Sequence, residues 1–230
     1  MIKAILFDLD DTLVDHNAAI REAASALFYQ VIPNSKHELN LFQEQWIFLT
    51  RQWYKKFFNQ QVTFQESGRG RLKEAFSNYG YRFSDTDADA LLSEYWKDYV
   101  TKCQLFDDVV ECFAQLQKYK IGVVTNGQET QQVEVLKQCG ILPALDIVVT
   151  SETAGAAKPA HEIFQYACAK LKVQPIHCVY VGDNLELDAI ASTDAGLVGV
   201  WLNRFYKDLQ VSSQNVGQIN RLTELSNLIL

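Results

Sequence analysis

The chain has 230 residues, enough for one large domain or a domain with a modest insertion, and its 48% hydrophobic content can build a buried core. Lys and Arg number 21 against 28 Asp and Glu, giving a net charge of −7 and a pI near 5.1. No basic surplus meets a phosphate backbone, so a nucleic-acid polymer is disfavoured as partner while a mononucleotide stays open. A strand that begins at Ile2, with no basic leader or long apolar run, predicts neither a signal peptide nor a membrane span. The cysteines, Cys103, Cys112, Cys139, Cys168 and Cys178, are scattered and lack Cys-x-x-Cys spacing, which predicts buried thiols in a reduced, cytoplasmic chain.

In chain order, residues 2–7 are too short and continuous for an amphipathic helix and read as a strand buried on both faces, as in parallel sheets. The strand runs into Phe7-Asp8-Leu9-Asp10-Asp11-Thr12-Leu13. Ligands of open α/β sheets bind beyond the carboxyl ends of strands, where Asp8 and Asp10 are delivered. In extended chain this spacing turns both carboxylates to one side. Strand signals then vanish from Asp15 to about Cys103. Helical patterns over residues 18–31, 37–58, 63–79 and 85–100, divided at Pro33-Asn34-Ser35, Asn59-Gln60-Gln61 and Gly80-Tyr81, predict an inserted four-helix cap over 15–103. Such an insertion would lie above the strand ends and could act as a lid.

Beyond it, strand patterns at 121–124, 147–149, 178–181 and 197–200 alternate with helical patterns at 109–118, 130–139, 160–171 and 185–195, and residues 221–230 form a short closing helix. The alternation predicts an α/β fold, a doubly wound, Rossmann-like parallel sheet made of residues 1–14 and 104–230. Thr125-Asn126-Gly127 and Gly182-Asp183-Asn184 directly follow strands, Lys158-Pro159 lies between them, and Asp188 follows. Of His16, His37, His161 and His177, none has metal-ligand spacing, and His16 alone is near the first acidic loop.

In this order the motifs Asp8-x-Asp10-x-Thr12, Thr125, Lys158 and Gly182-Asp183 with Asp188 resemble those of the haloacid dehalogenase-like (HAD) superfamily of phosphohydrolases. Thr125-Asn126-Gly127, Ala157-Lys158-Pro159, Gly182-Asp183-Asn184 and Trp201-Leu202-Asn203-Arg204 are most similar to the branch that includes pyrimidine 5'-nucleotidases. The insertion after the first strand matches that superfamily's helical-cap type, and the short span from Thr125 to Lys158 leaves no room for a second cap.

The resemblance implies a Mg²⁺-dependent phosphatase acting on a small phosphorylated metabolite. Asp8 would be the nucleophile that forms an aspartyl phosphate, and Asp10 the acid and then the base. Lys158 and Thr125 would hold the phosphoryl oxygens, with the amides of Asn126 and Gly127 as further donors. Asp8, the main-chain carbonyl of Asp10, Asp183 and Asp188 would hold the metal. Thr12 would organise the loop, while Asp11 caps or solvates the turn. Thr153 and Gly155 would shape the approach of the lysine.

A nucleoside 5'-monophosphate leads as substrate, with sugar-phosphate hydrolysis and phosphomutase chemistry as alternatives. A 2-haloacid dehalogenase is disfavoured because it has no leaving oxygen for Asp10 to protonate. A non-catalytic binding protein is disfavoured by the complete motif set. In the insertion, Trp46, Trp53, Tyr54, Phe57 and Phe58 could stack on a base, but their helical spacing favours core. Arg69 and Arg71 could reach a substrate's polar end or form a solvated helix start.

Overall fold

The computed structural model describes residues 1–33, 35, 39–205 and 215–229. His37, Asn34 and Leu230, which enter the expectations above, lie outside the described residues. The chain divides into two compact units, one of Met1–Asp15 with Gln104–Leu230, the other of His16–Cys103.

Strand β1 (Ala4–Phe7) leads into helices α1 (His16–Val31), α2 (Leu39–Phe58), α3 (Phe64–Ser77) and α4 (Asp85–Lys102). The chain continues as α5 (Val109–Gln115), β2 (Lys120–Thr125), α6 (Glu129–Gln138), β3 (Ile147–Thr150), α7 (Ser151–Ala154), α8 (His161–Leu171) and β4 (Cys178–Gly182). A π-helical turn (Leu185–Ile190), α9 (Ala191–Asp194), β5 (Val198–Leu202), β6 (Gly217–Ile219) and α10 (Leu225–Ile229) follow.

All six strands pair in parallel in the order β3-β2-β1-β4-β5-β6. Every residue of β1 is fully buried, as its unbroken apolar run requires. Side chains alternate between faces. Leu6, Val124, Val149 and Tyr180 pack with Ile163, Phe164 and Ala167 of α8 and Ala191 of α9. Phe7 turns the other way, its ring 5.6 Å from that of Phe113 on α5. Helices therefore cover both faces, the doubly wound arrangement. At Gly122 of β2 a Cβ would lie 2.6 Å from Ile147 and 2.9 Å from Leu6, so packing across the three neighbouring strands excludes a side chain there.

Two elements have no counterpart in the sequence patterns. β6 is an edge strand of three residues with a single apolar member, too short to show a period. α7 is one turn, started by the reciprocal capping box of Thr150 and Thr153 and ended by Gly155 at φ +68°. The helix expected at 185–195 instead opens with the π-helical turn, in which the carbonyl of Asn184 accepts from both Asp188 N–H (3.0 Å) and Ala189 N–H (3.4 Å). Widening the turn lets Asp188 fold back onto Asn184 N–H, a contact described below.

In the His16–Cys103 unit, α1 packs on α4 and α2 on α3. α3 starts with a capping box between Thr63 and Glu66, and Ser84 caps α4. The centre is aromatic: Phe42 lies 5.0 Å from Phe28 and 4.9 Å from Phe76, and Trp46 lies 5.0 Å from Tyr95, all between ring centroids. Trp46 is fully buried and belongs to this core. Among the described residues no helix is long and apolar enough to cross a membrane.

Candidate active site at the carboxyl ends of the strands

The first unit gathers its charged groups where β1, β2 and β4 end. Asp8 continues β1 by one residue, its N–H donating to the Val181 carbonyl at 2.9 Å. The loop then closes tightly: Leu13 and Val14 N–H donate to the Leu9 carbonyl, and Asp11 N–H donates to Val14 O. Asp11 sits at φ +59°, a left-handed conformation that aspartate tolerates better than most residues.

Lys158 reaches this point from the loop after α7. Its backbone is clamped by one side chain: Lys158 N–H donates to Asn126 Oδ1 at 2.8 Å, and Asn126 Nδ2 donates to the Lys158 carbonyl at 3.0 Å. Its Nζ donates to Asp8 Oδ1 (2.5 Å), Asp188 Oδ1 (2.7 Å) and Tyr180 Oη (3.0 Å). Tyr180 donates to the Val124 carbonyl at 2.8 Å, which fixes its hydroxyl between β2 and the lysine. The three ammonium donors are thus all engaged.

Asp188 is positioned from two directions. Its Oδ2 accepts from Asn184 N–H at 3.0 Å, and a Cβ at Gly182 would lie 2.3–2.4 Å from its carboxyl group, so only glycine leaves it room. Asp183 is tied to the first loop, its N–H donating to Thr12 Oγ1 at 3.0 Å. Its carbonyl accepts from Trp201 Nε1 at 2.8 Å. Thr12 is fully buried and its hydroxyl lies 3.4 Å from Asp8 Oδ2, so it links the two acidic loops. Arg204 braces the same loop: it donates to the Thr12 carbonyl at 2.9 Å and grips Asp108 with two bonds of 2.8 and 2.9 Å.

Carboxylate oxygens of Asp8, Asp183 and Asp188 lie within 4.8 Å of one another. Opposite ligands of an octahedral Mg²⁺ stand about 4.2 Å apart, and the ion prefers hard oxygen donors, so the spacing and the donor set fit a divalent cation. The electrostatics point the same way. Burial, followed by the charges of Asp188 and Asp10, pushes Asp8 up to about 7 against the opposing Lys158. Burial and the charges of Asp8, Asp188 and Asp11 push Asp183 up to about 8. Burial alone would lower the Lys158 ammonium, but Asp188 and Asp8 outweigh it and hold it well above its ordinary value. One ammonium leaves this acidic cluster under-compensated.

Asp8, Lys158, Asp183 and Asp188 are therefore brought into one cluster. Thr125 lies buried at the end of β2, and Asp10 is half-buried in the first loop. Asn126 uses its side chain to hold Lys158, and the Gly127 N–H donates to Ser151 Oγ at 3.1 Å. His16 lies in the other unit, its Nδ1 2.7 Å from Tyr99 Oη. The residues not singled out from sequence are Tyr180, Asp108 and Ser151. Tyr180 carried one readable signal, since a hydroxyl in an apolar strand buried on both faces must find a partner.

The chain belongs to the haloacid dehalogenase-like hydrolase family, whose model matches residues 2–196. It is 29% identical to the glyceraldehyde 3-phosphate phosphatase of Methanocaldococcus jannaschii, covering 100% of this chain and 97% of that one. It is 32% identical to the pyrimidine 5'-nucleotidase YjjG of Escherichia coli, over 48% of this chain and 49% of that one. The putative HAD-hydrolase YfnB of Bacillus subtilis, solved bound to magnesium, superposes with a TM-score of 0.84 at 26% identity, over 99% and 98% of the two chains. Family and relatives together make the chain a phosphoric monoester hydrolase.

Proposed function

We propose that this hydrolase cleaves a small phosphomonoester through an aspartyl phosphate on Asp8, with Mg²⁺ held by Asp8, Asp183, Asp188 and the Asp10 carbonyl. One observation carries the reading: a buried lysine joins Asp8 to Asp188, with Asp183 in the same cluster. Bound there, Mg²⁺ would supply positive charge to the phosphoryl oxygens. Asp8 attacks phosphorus, the ester P–O bond breaks, and its electron pair leaves on the alcohol oxygen, which takes a proton from Asp10. Water then attacks phosphorus, Asp10 takes the water's proton, and the P–O bond to Asp8 breaks to release phosphate. Lys158 opposes the charge on the transferring group, and the Thr125 hydroxyl donates to it.

The helical segment 15–103 serves as the cap that selects substrate, and the chain works in the cytoplasm. Sugar phosphates and nucleoside 5'-monophosphates are the substrate classes, the first from the relative aligned end to end and the second from YjjG. The test is phosphate release from a panel of both classes, plus phosphorylated hydroxyacids and bisphosphates, with Mg²⁺ or EDTA. Metal-dependent release from native protein and none from Asp8→Asn is the expected result. Release that survives Asp8→Asn overturns the mechanism.

A further inference from the structure

The last rung of the β2–β3 ladder pairs Thr125 with Thr150. Past that rung the strand pairing ends, yet the next residue on β2 is Asn126, whose side chain clamps the Lys158 backbone. The next residue on β3 is Ser151, the first of α7, and its hydroxyl takes the place of a further rung. It accepts from Gly127 N–H at 3.1 Å and donates to the Gly127 carbonyl at 3.3 Å. A hydroxyl carries both a donor and acceptor lone pairs, so one short side chain meets both polar groups of one residue. Glu152 adds a second tie, its Oε2 accepting from Glu129 N–H at 2.8 Å at the start of α6, where the N-cap residue Gln128 gives no side-chain bond.

Packing restricts the same turn. A Cβ at Gly127 would lie 2.4 Å from Nε2 and 3.0 Å from Cγ of Gln132, a buried side chain of α6. Gly127 thus has Gln132 packed on it and Ser151 bonded to its backbone, while Asn126 is confined between Gly127 and the ladder. Two reciprocal clamps therefore act in series, Ser151 on Gly127 and Asn126 on Lys158. They fasten both ends of the segment 151–158 to the 126–127 turn. The lysine stem has four rotatable carbons, and its ammonium must meet Asp8, Asp188 and Tyr180 at 2.5 to 3.0 Å, so a displaced base would be felt at its tip.

We infer that Ser151 is a positioning residue for phosphoryl transfer: it fixes Gly127, and with it Asn126, which sets where the Lys158 ammonium stands. The effect on turnover rests on the phosphatase reading, whereas the effect on the lysine does not.

The test uses the full chain. In ¹³C-lysine-labelled protein the Lys158 Cε–Hε resonances are identified by their loss in Lys158→Arg. Ser151→Ala and Asn126→Ala should both move them, and the double variant should move them no further than Asn126→Ala alone. Should Ser151→Ala misfold, Ser151→Cys, whose thiol is a weak donor and acceptor, takes its place. Resonances that stay at their native positions without the Ser151 hydroxyl overturn the inference. In parallel, phosphate release is measured with Mg²⁺ for native protein, the two single variants and the double variant. Ser151→Ala should lower kcat about ten-fold with KM kept, the pattern of a misplaced catalytic group. In the Asn126→Ala background the same change should cost under about two-fold, because the route to Lys158 is already cut. Equal losses in the two backgrounds overturn the series. If native protein releases no phosphate from any compound, the hydrolase reading fails separately and the lysine resonances alone judge Ser151.

Discussion

Asp108 offers the most quantitative test of how the acidic loops are held. It is fully buried and accepts three hydrogen bonds, two from Arg204 and one from the Leu222 N–H at 2.8 Å. Asp108→Ala strands the Arg204 guanidinium, whose side chain is 9% exposed, without a counter-ion. Breaking one side of a buried pair costs about 3–5 kcal/mol, which for a chain of this size is roughly 6–20 °C in melting temperature. Removing both partners, as in Asp108→Ala with Arg204→Met, should recover much of that loss because no buried charge is stranded.

The pair also sets a pH window. Burial pushes the Asp108 carboxyl up, but the Arg204 hydrogen bonds, the Leu222 N–H and the nearby arginine charges outweigh it and hold it below its ordinary value. A carboxyl depressed in the folded state stabilises above its unfolded value, about pH 3.9, and that contribution fades as pH falls through the native one. Urea denaturation of native, Asp108→Asn and double-variant protein should therefore show a stability gap that is flat near neutrality and shrinks below about pH 4. A gap under about 1 kcal/mol, or one that keeps its size down to acid unfolding, would refute the account, since that is the size of an exposed pair.

Tyr180→Phe keeps the ring beneath Lys158 but removes the hydroxyl at 3.0 Å, so kcat for phosphate release should fall about ten-fold, matching the roughly 1.5 kcal/mol of one hydrogen bond to a charged group. An unchanged kcat would show that Asp8 and Asp188 suffice to hold the lysine. Gly182→Ala forces a methyl to 2.3–2.4 Å from the Asp188 carboxyl, and equilibrium dialysis should show weakened Mg²⁺ binding. Mg²⁺ itself should raise the melting temperature reversibly, by about 2.7 kcal/mol of stabilisation at a hundred times Kd, and EDTA should cancel it. A melting curve indifferent to the ion would count against the cluster as its site.

Much of this was legible in the sequence because the relevant physics is local. A strand buried on both faces must be continuously apolar, so β1, β2 and β4 announce themselves, and the polar residues directly after them are delivered to the carboxyl edge of the sheet. Long amphipathic helices such as α1 and α4 are equally visible. What was hidden depends on contacts between distant segments. Asn126 and Lys158 are 32 residues apart, and nothing in either neighbourhood shows that the asparagine side chain clamps the lysine backbone. Arg204 and Asp108 are 96 apart, and Arg69 and Arg71 are indistinguishable until packing leaves one on the surface and buries the other. The π-helical turn escapes notice because its apolar residues also suit an α-helix.

The charge at the strand ends explains why these contacts are needed. Asp8, Asp183 and Asp188 with one lysine sum to −2 when fully ionised, from three negative charges and one positive. Like charges about 4 Å apart repel by about 4 kcal/mol even at an effective dielectric near 20. Left to relax, such a cluster would spread its carboxylates or take up protons, as the raised values of Asp8 and Asp183 record. Spreading is resisted from outside the cluster: Thr12 ties Asp183 to the first loop, Arg204 holds that loop from its carbonyl, Asn184 holds Asp188, and Asn126 fixes the base of Lys158. A divalent cation would bring the sum to zero. The unmet charge is thus a property of the folded chain before any phosphate arrives, and the residues around it hold carboxylate oxygens of the three acids within 4.8 Å of one another.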